Sequence, residues 1–106
     1  MDDFQSVCLV VGTVVSARSA PEVRNKSYRV EVDFGPDHGT LKTLAQITDL
    51  YDPSDLPGRQ VIGLVNIAPK QIGPTTSEFL LAGFYRDDGV VLAIPEREVP
   101  DGARLA

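Results

Sequence analysis

Apolar positions along the chain fall into short, valine-rich runs, and the spacing within most of them is that of β-strands. From Val7 to Val15 apolar residues occupy both parities, interrupted only by Gly12 and Thr13, which predicts a long strand buried on both faces. Gly12 in the middle of that run predicts a bulge or sharp bend, as closure of a small barrel requires. Tyr28 to Phe34 alternates: Tyr28, Val30, Val32 and Phe34 fall on one side, Arg29, Glu31 and Asp33 on the other. That is a strand with one wet face. A Gly/Pro loop over Gly35 to Gly39 leads to a third strand, Leu41 to Ile47.

Asp52 followed by Pro53 predicts a helix start, with a capping carboxylate and a proline at the first helical position; Pro57 and Gly58 end it after about one turn. Gln60 to Ile67 predicts a fourth strand, Ala68 to Thr76 a loop, and Ser77 to Tyr85 a fifth strand. Asp87-Asp88-Gly89 predicts a hairpin turn into a short sixth strand, Val90 to Ile94. The tail carries Pro95, Pro100 and Gly102, so it is extended or turning. Three strands, a short helix and two or three further strands predict an all-β fold: a five-stranded OB-fold barrel with one short helix and terminal extensions. The 106 residues make one domain, 1–106, with a single modest core.

Composition narrows the chemistry. The longest apolar run is far short of the ~20 residues that a membrane span requires, so no membrane insertion is expected. The opening MDDFQ has no basic stretch of a secretory leader, so the expected location is cytoplasmic. Cys8 is alone inside an apolar run and reads as a small buried hydrophobe. His38, the single histidine, lies in a Gly/Pro loop with no second ligand nearby, and no metal site is expected. Phosphate-binding glycine loops and nucleophile elbows are absent from the sequence. The adjacent carboxylates Asp2-Asp3 and Asp87-Asp88 fall at a terminus and in a turn, where acids are simply solvated. No enzyme and no cofactor are expected.

The formal charge of −5 argues against a strong general nucleic-acid binder, so the placement of the ten cations matters more than their sum. On an OB barrel, ligands sit on the face of the second and third strands, flanked by the loop after the first strand and the loop before the fifth. Arg18, Arg24, Lys26, Arg29, Lys42 and Lys70 all fall in those elements and are the candidate nucleic-acid ligands. Aromatic platforms for base stacking are thin: there is no Trp, and Tyr28, Phe34, Phe79 and Phe84 alternate as core residues do. A second candidate surface is apolar. Leu64, Ile67, Ile72, Phe79, Leu81 and the last strand exceed what one small barrel readily covers, and a two-fold interface would bury the excess. A groove left across such a dimer would take an extended peptide on Ile67, Pro69, Ile72 and Phe79.

Several segments resemble the family of tRNA-binding domains, and within it the export chaperones of the CsaA type. They are VGTVVSA from Val11, PEVRNKSYRVEVDFG from Pro21, AQIT from Ala45, YDPSDLPGRQVIGLVNIAP from Tyr51, SEFLLAGFYRDDGVVLAIPE from Ser77, and the terminal VPDGARLA. The chain departs from the wider family where an Asp-Arg or Asp-Ile-Arg element usually opens the first strand; here stand Cys8, Leu9 and Val10. It has Ser77-Glu78-Phe79 where many tRNA binders have Ser-x-Met, and the loop APKQIGPTTSE holds fewer bases than in relatives with paired arginines. These departures favour the chaperone branch. The resemblance implies an OB fold and a homodimer acting without ATP on unfolded preproteins and, in some members, with the SecA motor. Weak tRNA binding through the basic face is the alternative it implies.

Overall fold

The computed structural model describes residues 8–106; Val7 and the Asp2-Asp3 pair lie outside the described residues. β1 (Leu9–Ser19), β2 (Tyr28–Asp33), β3 (Thr40–Ala45), β4 (Gln60–Leu64) and β7 (Leu80–Leu81) form one antiparallel sheet in the order β3-β2-β1-β4-β7. A 3-10 turn, Pro53–Asp55, precedes β4. The architecture is the expected nearly closed five-stranded, OB-like barrel. Asp52 caps the 3-10 turn by accepting from the Ser54 amide and hydroxyl, which hold its carboxyl below the ordinary carboxylate range.

β1 is the hub because it is long enough to serve two neighbours. Leu9 to Thr13 pairs with β4, and Thr13 to Ser19 pairs with β2. The edge of β1 that β2 leaves open is covered by the tail: the Val11 amide donates to Ala103, the Gly102 amide to Val11 and the Leu105 amide to Leu9. The handover carries a bulge, but not at Gly12. The register shifts between Val14 and Ser16, which leaves Val15 turned out and 53% exposed. Gly12 stays in the regular ladder opposite Val61, and its missing side chain has a different use. A Cβ built there would stand 2.6 Å from Val32 and 2.7 Å from the Phe34 ring. Gly63 is under the same constraint, 2.6 Å from Phe34 and 3.0 Å from Phe79. Phe34 and Phe79 meet edge to face with centroids 4.9 Å apart, a favoured geometry for aromatic pairs.

The alternation of β2 is as expected: Tyr28, Val30 and Val32 are buried while Arg29, Glu31 and Asp33 face outward. Barrel closure is made by side chains as much as by ladder. The Glu78 amide donates to the Lys42 carbonyl, and the Lys42 amide donates to a Glu78 carboxylate oxygen. The buried Thr43 hydroxyl donates to the Phe79 carbonyl at 2.7 Å and shares a hydrogen bond with Ser77. Ser77-Glu78-Phe79 is therefore the segment that shuts β3 onto the end of the sheet.

Two expectations need correction. The segment Ala68 to Thr76, read as an open loop, contains a small hairpin: β5 (Lys70–Ile72) pairs with β6 (Thr75–Ser77) around Gly73-Pro74. The fifth strand, read as continuous from Ser77 to Tyr85, is split. β7 ends at Leu81, and the chain leaves the barrel to form β8 (Gly83–Arg86), which pairs with β9 (Gly89–Leu92) in a separate ribbon. Gly83 permits the departure, since a Cβ there would meet Val90 and the Val91 carbonyl at 2.9 Å. The Asp87-Asp88-Gly89 turn falls where expected, braced by Arg86, whose guanidinium donates to both Asp88 oxygens.

Replacing Gly12 with Ala should cost about 1–3 kcal/mol in urea denaturation, the usual range for overpacking a filled core. Combining it with Phe34→Leu tests the cause. The pair should couple by at least ~0.5 kcal/mol in a double-mutant cycle, whereas additive losses would show that Gly12 is not reserved for the ring.

Candidate functional site

The outward row of β1, β2 and β3 brings Arg18 opposite Arg29, and Arg29 opposite Leu44; the next row brings Glu31 opposite Lys42. The loop from Ala20 to Ser27 follows β1 and is closed at its base by the Ala20 amide donating to the Ser27 carbonyl. It carries Arg24 and Lys26, and the β5–β6 hairpin carries Lys70 at its start. Arg18, Arg29 and Lys42 thus stand on one outward face, Arg24 and Lys26 border one cleft of the first loop, and Lys70 opens the β5–β6 hairpin. Arg18, Arg24, Lys26, Lys42 and Lys70 are exposed and form no ion pair among the described residues.

Arg29 differs. Its guanidinium pairs with Glu22 of the first loop and donates to the Thr75 hydroxyl of β6 at 2.8 Å. Its Nε is buried with no hydrogen-bond partner among the described residues. The side chain is 24% exposed and Thr75 is buried. Arg29 is therefore a brace that joins the two loops flanking the face. Apolar side chains of the two loops also line one cleft together, Val23 from the first and Ile72 from the hairpin. Two clefts open beside Arg24. One is bounded by Ser19, Pro21, Lys26, Tyr28 and Thr48, the other by Val23, Asn25, Leu44, Gln46 and Ile72.

The expected peptide site is not assembled as predicted. Phe79 is 1% exposed and packed on Phe34, so it belongs to the core and is unavailable to a ligand. Ile72 turns toward Arg24 on the basic side. Ile67 and Pro69 stay exposed on the connection from β4 to β5. A different apolar surface exists. A groove of about 550 Å³ runs between the end of β3 and the β7–β8 segment, lined by Leu44, Ile47, Leu80, Phe84, Tyr85 and Val90 among others. Leu80 is 58% exposed, Phe84 68% and Tyr85 96%. Phe84, read as a core residue together with Phe79, lies outside because the chain changes sheets at Gly83. The Leu-Leu-Ala-Gly-Phe-Tyr order holds the signal that reading missed: a glycine inside an apolar run marks a break in the strand.

The ribbon that presents Phe84 and Tyr85 is anchored to the barrel by two linked tyrosine hydrogen bonds. The Tyr28 hydroxyl donates to the Tyr51 carbonyl at 2.7 Å, and the Leu92 amide donates to the Tyr51 hydroxyl at 2.9 Å. Strand β2, the segment before the 3-10 turn and β9 are held together by this relay.

Residues 9–104 match the model of the family described as "Putative tRNA binding domain". The chain belongs to the tRNA-binding-domain family. Its fold is similar to the crystal structure of chaperone CsaA from Bacillus anthracis, with a TM-score of 0.91 and 38% identity over 98% of this chain and 94% of that one. The CsaA chaperone protein of Picrophilus torridus gives 0.92 and 32%, over 98% and 95%. The chain is also 32% identical over 102 residues to a methionine–tRNA ligase of Methanococcoides burtonii. That match takes in 95% of this chain but spans only 15% of the ligase's length.

In this family member, Arg29→Gln should loosen both loops. Losing a hydrogen bond to a charged group removes roughly 1.5–3 kcal/mol, so amide exchange at residues 20–27 and 72–77 should accelerate by about tenfold or more. Exchange at 9–14 should barely change. Uniform acceleration would mean that Arg29 supports the whole barrel.

Proposed function

We propose that the protein is a chaperone module of the CsaA type: a homodimer, acting without ATP and without catalysis, that holds unfolded preproteins in the cytoplasm. The observation that carries this reading is the open apolar groove at β3, β7 and β8, with Leu80, Phe84 and Tyr85 turned to solvent. Isolated exposed hydrophobes are ordinary, but contiguous ones around a groove mark a binding surface. The near full-length likeness to chaperones, in both directions, supports the same reading. An extended client would be held by buried apolar area, and binding of that kind resists salt. SecA is the partner that the resemblance adds. The candidate peptide contacts move from Phe79 to Leu80, Phe84 and Tyr85, with Ile67 and Pro69 on a separate exposed stretch and Ile72 on the basic side.

The test is suppression of aggregation of an unfolded preprotein. Leu80→Asp with Tyr85→Asp should abolish suppression at an unchanged melting temperature, because both side chains are already exposed. Light scattering of the parent should give twice the chain mass. If the double variant becomes monomeric and still suppresses aggregation, the groove is the two-fold interface and clients bind elsewhere.

A second reading, tRNA binding, is favoured by the family match and by five unpaired cations on the ligand face. Neutralising four or five phosphates gives a log–log salt slope of about −3 to −5. Lys26→Glu with Lys42→Glu should abolish such binding, and Arg97→Glu should leave it intact. Equal losses from the two changes would place the ligand off the basic face.

A further inference from the structure

We propose that an unfolded client is held as an added β-strand on the open edge of β3 at Leu44 to Gln46, running antiparallel to β3; this rests on the chaperone reading above. β3 is the end strand of the sheet, and only part of its outer edge is closed. Lys42 bonds both its backbone carbonyl and its amide to Glu78, so these groups point away from β2. Successive residues of a strand turn such groups to opposite edges, so Leu44 repeats the direction of Lys42. On that side Leu44 has no ladder partner, since β3 pairs with β2 alone. Its amide makes no hydrogen bond there among the described residues. Its carbonyl meets only the Thr43 hydroxyl at 3.5 Å, and that hydroxyl is committed to the Phe79 carbonyl at 2.7 Å. Gln46, the next residue of the same parity, makes no backbone hydrogen bond among the described residues either. The seam thus ends at Thr43, and the apolar groove begins where it ends, with Leu44 and Gln46 on one wall and Leu80 and Phe84 on the other. Strand addition to such an edge gives hold through the main chain whatever the client's sequence, while alternate side chains enter the groove.

Charge sets the direction of the added strand. Beyond Ile47 the chain reaches Asp49, which lies against the β8–β9 turn: a Cβ built at Gly89 would stand 2.8 Å from its Cβ. Asp49 and Asp87 are exposed there and form no ion pair among the described residues, while Asp88 is taken up by Arg86. At the other end stand two exposed cations without ion pairs, Lys42 and, in the cleft that Leu44 and Gln46 share, Arg24. Glu78 at that end is turned onto the Lys42 amide, and Glu31 stands opposite Lys42 on β2, away from the open edge. A strand antiparallel to β3 begins at the acidic end and finishes at the cationic one. The matching client is an extended apolar stretch with a basic residue before it and an acidic residue after it. Parallel addition of the same segment would set like charges together at both ends.

The experiment titrates the full chain with labelled peptides that carry lysines before, and glutamates after, an alternating valine–threonine stretch. In one version the backbone amides of one parity are N-methylated, in another those of the opposite parity. Methylation of the set that faces β3 should weaken binding by about tenfold or more, the loss expected for one or two hydrogen bonds, and methylation of the other set should leave it nearly unchanged. A peptide of the same composition with glutamates first and lysines last should bind about fivefold more weakly at low salt, a difference that salt removes. Asp49→Lys with Asp87→Lys, both at exposed positions, should reverse that preference. Strand addition is overturned if the two methylated sets bind alike, since the groove would then hold clients by side chains alone and the chaperone reading would stand. The antiparallel direction is overturned if the charge order makes no difference to the parent. If the parent binds none of these peptides, strand addition falls together with the chaperone reading.

Discussion

The ring of Phe34 occupies space that side chains at Gly12 and Gly63 would need, and its edge is met by Phe79. Everything else in the barrel is arranged around that contact. It sets how closely β1 and β4 can approach the end of β2, and it places Phe79 so that the segment before it reaches β3. The lock of Glu78 and Thr43 across that seam is then available without distortion. A glycine at each of two positions is the condition for an aromatic pair at the centre of a chain this small.

Once the barrel is closed, each of its two faces of interest is held by its own anchor. The basic side is organised by Arg29, which gives up its role as a free cation to hold Glu22 and Thr75 together. An acidic protein can in this way present a local group of unpaired cations, because one acid is spent inside the brace. The apolar side is organised by Tyr51, whose backbone and hydroxyl tie β2 to β9 and so hold the outlying ribbon with Phe84 and Tyr85 exposed. The two surfaces adjoin at the end of β3, where Leu44 and Gln46 border both the apolar groove and a cleft beside Arg24.

The sequence by itself determined the first four strands, the inward and outward parity of β2, the capped turn and the Asp-Asp-Gly hairpin. Each of these rests on interactions between near neighbours: alternation, a carboxylate two residues from an amide, a turn of two residues. It also put Arg18, Arg29 and Lys42 on the outward face, because strand parity follows from the same local rules. Only the tertiary structure decided which aromatics are core. Phe79 and Phe84 fall in one apolar run, but the chain changes sheets between them at Gly83, and that depends on Val90 and Val91 packing from a later strand. Likewise Gly12 looked like a bulge until Phe34 was found against it. Arg29 looked like a ligand until Glu22 and Thr75, 7 and 46 residues away, were found on its guanidinium. Contacts at such separations leave no mark on local periodicity, because their partners are chosen by closure of the barrel.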